Sequence, residues 1–544
     1  MTYPGFDLTQ IDPRLAFQQA DRIASANLPE QIATSPKFLI EVYDNVYNVV
    51  GEIGDYISAT VTFQLNGVGT ATIVMKGDDP LWETVMACGT TVVPITIWVN
   101  NRRWSGRVDT AEDARVDGVD TVTLQCISDY AWLQRILVWP NAYLPIEVQE
   151  PKQATYIGPA CSVISFLLHD NVIRLQAGLW EFFNNILDPQ AWFATAIEGR
   201  GLLTPVAIVP VDLIHDQSKW VAVTSQMASA DTLIEQITKD QGISVTADLW
   251  LPGEPQPTTA FTLTQPTIVI RIRDNSGLTG PTGTMIDGLI REVVDIADGT
   301  FGEAIQPFTA SEFAPPGVDL AAYFGFNWKR PWILLTDHPR GGVKEFHTMG
   351  HHTQAHTVVS GGRSPEWVNK LIDLILEFAL SEILLAIGVV GIASTLLDGV
   401  FDNIILAYQE IENAPRRFQN GPYCFPEVFV SAGSTAYTLS EFFNLFNGMW
   451  DSRGYYSWEL VYYDGEPYSF GYDFDLGDLT SWLRRNKLYT DYVLTVTATD
   501  DRTKRVEVTV QVGDNKSRES PWASLQRNLS GLQSAMQAAL LAQN

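Results

Sequence analysis

Four histidines within one short stretch are the residues whose type and spacing come closest to metal chemistry. In the sequence FHTMGHHTQAH they are His347, His351, His352 and His356. Two histidines four residues apart on a helix can bind zinc. Here Gly350 lies between the first two histidines and no glutamate occupies the position that an HExxH site needs, Glu345 being the nearest carboxylate. We interpret the stretch as a loop or strand with exposed polar histidines, and keep a metal site as the alternative.

Two further segments imitate ligand-binding loops without completing them. Residues 280–284, GPTGT, contain the glycines of a phosphate loop but lack the GK[ST] ending and its lysine. Residues 473–478, DFDLGD, resemble the start of a calcium loop, but Arg484 stands where the bidentate glutamate belongs. The sequence has no GxSxG elbow and no catalytic cysteine–histidine pattern. It therefore predicts structural turns here, and no catalytic residue, cofactor or enzymatic activity.

The charge balance excludes whole classes of partner. The chain has 544 residues, with 35 basic and 63 acidic side chains and a net charge of −28. A surface that binds nucleic acid or anionic lipid needs clustered lysine and arginine, so neither class is indicated. Four cysteines, Cys88, Cys126, Cys161 and Cys424, are scattered without a CxxC pair. We expect them to be buried thiols of a protein made in a reducing cytosol, without a signal peptide.

Periodicity divides the chain into segments of different structure. In residues 58–65, SATVTFQL, the odd positions are apolar, which is typical of a strand with one buried face. Such strands, separated by turns such as Asn66-Gly67, indicate a barrel or sandwich. The predicted segments are an N-terminal arm (1–35), a β-barrel domain (36–145), a mixed α+β domain (146–310), an irregular or β connection (311–363), an apolar helical hairpin (364–415), an aromatic-rich β domain (416–515) and a C-terminal helix (516–544).

The apolar hairpin is the most unusual of these segments. Ser364 and Pro365 are typical of a helix start, residues 383–397 carry no charge, and Gly388 and Gly391 allow the chain to reverse before a second helix running to about residue 412. Narrow polar stripes leave most of each helix apolar. The residues expected to line an interface or plug are Trp367, Leu371, Leu374, Ile375, Phe378, Ile387, Gly388, Gly391, Ile404 and Ile405.

The hairpin does not have the features of a membrane span. Its uncharged core is shorter than the roughly 20 residues that a span needs, and its acidic flanks lack basic and aromatic anchors. We therefore expect it to pack inside a protein assembly.

Two C-terminal features indicate packing surfaces. Trp522, Leu525, Leu529, Leu532 and Met536 recur at three- and four-residue steps, which predicts a helix whose apolar seam faces a partner helix or the body of the protein. Residues 442–482 are dense in aromatic side chains. We interpret these as core or subunit interface, with glycan binding as the alternative.

Several strings resemble one family in combination. In order along the chain, these strings are CISDYAWLQRILVWPN (126–141), PTIVIRIRDNSGLTGPTGTMIDGL (266–289), SGGRSPEWVNK with the apolar run after it (360–412), and GSTAYTLSEFFNLFNGMW with its continuation (433–482). Together they resemble the minor tail proteins, or tail-hub proteins, of long-tailed actinobacteriophages of the mycobacteriophage-like siphovirus type.

The resemblance implies a fold and a role. It implies a multidomain α+β protein with β-barrel or β-sandwich hub domains, an inserted apolar helical hairpin and a C-terminal helix. It further implies a homotrimer at the tail tip of the virion that contacts the distal tail protein, the tape-measure protein and other minor tail proteins. DNA would pass without specific binding, and the released hairpin would contact the host membrane transiently. A tail-associated cell-wall hydrolase and a receptor- or glycan-binding protein are the alternatives.

Overall fold

The computed structural model describes residues 38–177, 204–291, 295, 325–328, 331, 333–336, 342–361, 408–430, 439–465, 468–485, 487–503, 506–528 and 530. The predicted N-terminal arm lies outside the described residues. So do the following predicted interface and seam residues: Trp367, Leu371, Leu374, Ile375, Phe378, Ile387, Gly388, Gly391, Ile404, Ile405, Leu529, Leu532 and Met536.

The first part of the fold, here the N-terminal β unit, consists of antiparallel strands. They are β1 (Phe38–Tyr43), β2 (Val49–Glu52), β3 (Tyr56–Gln64), β4 (Thr70–Lys76), β5 (Pro94–Val99), β6 (Arg102–Val116) and β7 (Val119–Ser128), with helix α1 (Trp82–Met86) between β4 and β5. Ala59, Val61 and Phe63 are buried and the threonines between them are half-buried, as the alternation predicts. The strands follow the order β3-β4-β7-β6-β5-β1-β2.

The second part, the middle unit, combines helices with small sheets. Its helices are α2 (Ala131–Arg135), α3 (Ala160–Ala177) and α4 (Ala230–Thr238), and residues 285–291 are also helical. Its strands are β8 (Leu137–Val138), β9 (Ala154–Pro159), β10 (Val206–Ile208), β11 (Trp220–Ser225), β12 (Ala228–Ser229), β13 (Ile243–Trp250), β14 (Thr267–Asp274), β15 (Leu278–Thr279) and β16 (Asn327–Trp328). Ser229 caps α4 by accepting a hydrogen bond from the Thr232 amide. Leu233, Ile234 and Ile237 on α4 then enter a core separate from that of the N-terminal unit.

The third part, the C-terminal β unit, continues the sheet of the first. Its strands are β17 (Ile333–Thr336), β18 (Val343–His351), β22 (Tyr455–Tyr463), β23 (Leu479–Arg484), β24 (Lys487–Asp500) and β25 (Glu507–Val512). Strands β19 (Thr357–Gly361), β20 (Tyr408–Glu412) and β21 (Glu427–Val430) lie between them in the chain and form a separate three-stranded sheet. Strand β24 pairs with β25 in a hairpin that turns near Asp500, and on its other edge with β3.

The pairing of β3 with β24 makes one sheet of two distant parts of the chain. Thr497 lies opposite Thr62 and Thr499 opposite Thr60. Among the described residues the resulting sheet has 13 strands, and one hydrophobic core contains side chains of both units. The predicted segments 36–145 and 416–515 therefore share a core. The molecule is dominated by β-sheets and contains several domains, as predicted.

Polar contacts seat the middle unit against the N-terminal unit. The Asn66 side chain accepts a hydrogen bond from the Val245 amide and donates one to the Ile243 carbonyl, both at 2.7 Å. The side chain therefore hydrogen-bonds to a backbone N–H and a backbone C=O at the edge of β13, as a neighbouring strand would. Ser105 Oγ accepts a further hydrogen bond from the Leu249 amide. The predicted Asn-Gly turn thus serves as a docking contact.

We predict that the shared core unfolds as one unit. Phe470 is fully buried and its ring centroid lies 5.1 Å from that of Phe63 in β3. Phe470→Ala should lower the free energy of unfolding of both β units together by about 3–5 kcal/mol, because a large buried side chain leaves a cavity. Tyr472→Ala, in the same loop but exposed, is the control. Two well-separated thermal transitions for the N-terminal and C-terminal strands in the Phe470→Ala protein would contradict the prediction.

A second prediction concerns Asp129, which is fully buried where β7 meets the middle unit. Burial raises the pKa of its carboxyl to about 6, against the opposing effects of Ser105 and of Arg107, whose guanidinium lies 3.9 Å away. Because the folded-state pKa is above the ordinary value, the stability that this group contributes is complete below pH 4 and is lost as pH rises through 6. As pH is raised from 4 to 8, the free energy of unfolding of Asp129→Asn should therefore rise relative to that of wild type by about 3 kcal/mol.

Thermal or urea unfolding at several pH values measures this difference. The charge of Asp248 also raises the pKa of Asp129 and that of Arg103 lowers it, but both residues are present in both proteins. Asp117→Asn, in the exposed β6–β7 turn, is the matched control. A stability difference between wild type and Asp129→Asn that does not change with pH would refute the assignment.

Candidate interaction site

The site is built around the two ends of the apolar segment. Strand β19 (Thr357–Gly361) enters it and strand β20 (Tyr408–Glu412) leaves it. The two strands pair antiparallel, with Gly361 opposite Tyr408. Residues 362–407 therefore begin and end side by side. The prediction that the second helix continues to about residue 412 is wrong, because the backbone of residues 408–412 is used in pairing with β19.

A small layered structure, here the insertion base, holds this strand pair. It consists of β19, β20, β21 (Glu427–Val430), α5 (Ala414–Asn420) and α6 (Leu439–Asp451). Leu445 and Met449 of α6 pack on Val358 of β19. Gly448 allows the close approach, since a Cβ there would lie 2.5 Å from Val430 Cγ2. The base is thus a sheet covered by one helix.

Arg416 connects every layer of the insertion base. Its side chain is buried, and Nη1 donates to the Ala355 carbonyl at 3.2 Å and to Ser452 Oγ at 3.0 Å. Nη2 donates to the Met449 carbonyl at 3.0 Å. The backbone amide of Arg416 donates to Asn413 Oδ1, which caps α5. One guanidinium therefore joins the chain before β19, the helix after β20 and the end of α6.

The predicted histidines lie near this base but do not converge. His347 is exposed on β18, and His351 stacks on Tyr455 with ring centroids 4.2 Å apart. His352 Nδ1 lies 2.9 Å from the Thr353 carbonyl, and His356 Nδ1 lies 3.0 Å from Thr357 Oγ1. In the part of the chain that the structure describes, no three histidine, cysteine or carboxylate side chains come together as a metal site. The strand assignment of His347 and His351 agrees with the interpretation as a polar strand.

The two ligand-like loops use their polar groups internally. The Asp287 carboxylate accepts from the Gly283 amide at 2.8 Å and from Thr282 Oγ1 at 2.9 Å, so a carboxylate of the chain itself occupies the loop of residues 280–284. In the other loop, Asp473 accepts from the Ser469 amide and Asp478 from the Asp475 amide, both at 2.8 Å. Both segments are structural turns, as expected.

The aromatic side chains divide into a core set and an exposed set. Within the aromatic-rich segment, Tyr462, Phe470 and Trp482 are buried, as the core interpretation predicts. Tyr456, Tyr463 and Tyr472 of the same segment are exposed. A further exposed set lies in and after α5, where Phe418 is 85% and Tyr423 97% exposed, with Phe425 also exposed. We call Phe418, Tyr423 and Phe425 the aromatic rim. The predicted site residues do not include the rim, although its aromatic residues beside Gly421 and Pro422 in FQNGPYCF were a usable signal.

The described part of the C-terminal helix lies against the body of the protein. Trp522 stacks on Phe446 of α6 with ring centroids 4.5 Å apart. Leu525 is half-buried, and the Asn528 side chain contacts the backbone of Trp220 and Ala222 in the middle unit. No helix among the described residues has both the length and the apolar content that a membrane crossing requires.

The described residues form a β-rich, multidomain protein in which the insertion base holds the two ends of residues 362–407 side by side. A family model described as Siphovirus ReqiPepy6 Gp37-like protein matches residues 39–514. The chain belongs to this family. It is a phage minor tail protein of the mycobacteriophage-like siphovirus type, and the predicted family is confirmed.

Two similar proteins are described as minor tail proteins. The chain is 24% identical over 401 residues to Minor tail protein Gp28 of Mycobacterium phage L5, covering 67% of each chain. It is 22% identical over 487 residues to Minor tail protein Gp28 of Mycobacterium phage D29, covering 79% of this chain and 81% of that one. A tail protein from Neisseria meningitidis MC58 is similar at 8% identity and a TM-score of 0.37, over 89% of this chain and 99% of that one.

We predict that Arg416 stabilises the insertion base. Arg416→Met should lower its free energy of unfolding by about 3 kcal/mol, because it leaves buried carbonyls without donors. Arg417→Met is the matched control, since Arg417 is exposed and its ion pair with Glu412 is at the surface, where such pairs contribute at most about 1 kcal/mol. Limited proteolysis near residues 408–430 measures the effect. Equal cleavage rates for the two variants would contradict it.

Proposed function

We propose that this protein is the hub of the tail tip, that it connects the distal tail ring to the tip, and that residues 362–407 close the tail lumen until DNA is ejected. The observation that carries the proposal is the β19–β20 pair, which holds both ends of the apolar segment together on a braced base. Such an attachment lets the segment project from the body without disturbing the sheets on either side of it.

The apolar character of the segment requires a protein environment. The two helices that the sequence predicts, each with one narrow polar stripe, would bury only one face against each other, and the remaining apolar surface would be larger than a soluble monomer exposes. We propose that copies of the segment around the tail axis, together with the tape-measure protein, cover this surface. The aromatic rim at the base would continue the contact, because exposed aromatic side chains are enriched at interfaces.

The proposed assembly is a homotrimer that also contacts the distal tail protein and other minor tail proteins. The net charge of −28 suits a protein that DNA passes, since an acidic lumen offers no phosphate contacts. The role is structural and not catalytic, in line with relatives named minor tail proteins. The tip of the released segment would contact the host membrane transiently, although its acidic flanks oppose deep insertion.

Replacement of residues 362–407 tests the plug. Because Gly361 and Tyr408 are antiparallel partners, an Asn-Gly turn can join β19 to β20 directly. We expect the purified variant to unfold at the same temperature as wild type, and phage carrying it to lose infectivity by several orders of magnitude. A Gly/Ser linker of the original length is the control and should fail equally, since it restores length but not apolar surface.

The result that would refute the plug is specific. If the Gly/Ser variant gives phage at wild-type titre, an apolar closure of the lumen is not needed. If the Asn-Gly variant unfolds at a lower temperature than wild type, the segment stabilises the body, and the side-by-side attachment is not its main feature.

A further inference from the structure

A polar pocket lies where the three parts of the molecule meet. Its floor is the face of the β13–β14 pair that points away from the core of the middle unit. Ser244 lies opposite Arg273 and Thr246 opposite Arg271, so these four side chains share one face. The alternate residues, among them Val245, are buried in the core. The pocket has a volume of about 220 Å³.

The other two units supply the walls. Arg102 of β6 donates a hydrogen bond from Nη2 to Asp248 Oδ1 at 3.0 Å. The Nε atom of Arg102 lies 3.3 Å from Asp475 Oδ1, in the loop before β23. The chain at Gly477 approaches the floor so closely that a Cβ there would lie 3.1 Å from Ser244 Cβ. The pocket is therefore a built feature of the folded chain, with one element from each unit.

The pocket carries more positive than negative charge. Three guanidinium groups, Arg102, Arg271 and Arg273, face two carboxylates. Asp248 already accepts two hydrogen bonds from Arg102 and has Arg271 Nη1 at 3.4 Å. Arg273 is exposed, and its side chain has no hydrogen bond or ion pair to the described residues. Burial lowers the pKa of Arg271. The charges of Arg273 and Arg102 lower it further, and the charge of Asp248 opposes this effect. Such an excess is notable in a chain of net charge −28.

We propose that this arginine pocket binds one carboxylate side chain from an acidic segment of another protein. A guanidinium group presents two parallel N–H donors that match a carboxylate. Arg273 and Arg271, two positions apart on one strand, place such donors on the same side. Ser244 Oγ accepts from Asn275, which leaves its hydroxyl proton available to the ligand.

The surroundings favour a single carboxylate over a nucleic acid. A volume of about 220 Å³ accommodates one side chain. A nucleic acid, which is charged along its whole length, would extend beyond the pocket over the acidic surface of the chain and be repelled there. The pocket would bind an acidic segment whether or not residues 362–407 close the tail lumen.

Fluorescence anisotropy with the full chain tests the pocket. The probe is a fluorescein-labelled tetra-glutamate peptide in low-salt buffer, compared with a tetra-glutamine peptide and a labelled single-stranded DNA oligonucleotide. We expect the glutamate peptide to bind, the glutamine peptide not to bind, and binding to weaken as NaCl is raised because screening reduces the attraction. Tighter binding of the DNA than of the peptide would overturn the proposal, as would no binding of the peptide.

Matched substitutions locate the binding. Arg273→Gln and Arg271→Gln should each weaken peptide binding by about tenfold, the loss expected for a charge-assisted hydrogen bond. Arg115→Gln removes the same charge from the exposed end of β6 and should leave binding unchanged. Arg273 is exposed, so its replacement should not alter the thermal unfolding temperature. Equal affinities for wild type and Arg273→Gln would overturn the proposal.

Discussion

The pairing of β3 with β24 is the interaction on which the rest of the structure depends. It joins strands more than 400 residues apart in the sequence, as in the Thr60–Thr499 contact. Because both strands also pair on their other edges, the two β units become one sheet over one core. The middle unit and the insertion base lie between these two strands in the sequence, so the chain leaves the sheet to form them and then returns to it.

The acidic side chains serve the fold more than they serve chemistry. Asp287, Asp473 and Asp478 accept hydrogen bonds from loop amides, and Asp464 accepts from the Phe470 amide and from Asn100. A carboxylate bound to backbone donors keeps a loop in place and is not available to act on a substrate. This use explains how a chain so rich in acids presents loops that resemble ligand sites and are structural turns.

The insertion base and the arginine pocket differ in how fully their arginine side chains are paired. Arg416 satisfies three acceptors on different elements, so the base has little freedom to open. In the pocket, by contrast, three guanidinium groups share two carboxylates. Arg102 pairs with Asp248 and Asp475, Arg271 also lies 3.4 Å from Asp248, and Arg273 is exposed. The one positive charge in excess is the one that a carboxylate of a partner would neutralise.

The sequence by itself determined the local structure and the family. Alternation predicted β3, and the missing bidentate glutamate in DFDLGD predicted a structural turn. The missing lysine in GPTGT was enough to exclude a phosphate loop. These features depend on residues a few positions apart, whose side-chain types limit the backbone directly.

The tertiary structure alone decided which distant elements meet. Nothing in the alternating pattern of β3 specifies β24 as its neighbour, because many strands present the same period and register is set by the assembled core. For the same reason residues 408–412, predicted from the sequence to continue a helix, form strand β20 beside β19. Arg416 and the arginine pocket were invisible in sequence, since their partners come from several parts of the chain, and only burial and distance give such charges their roles.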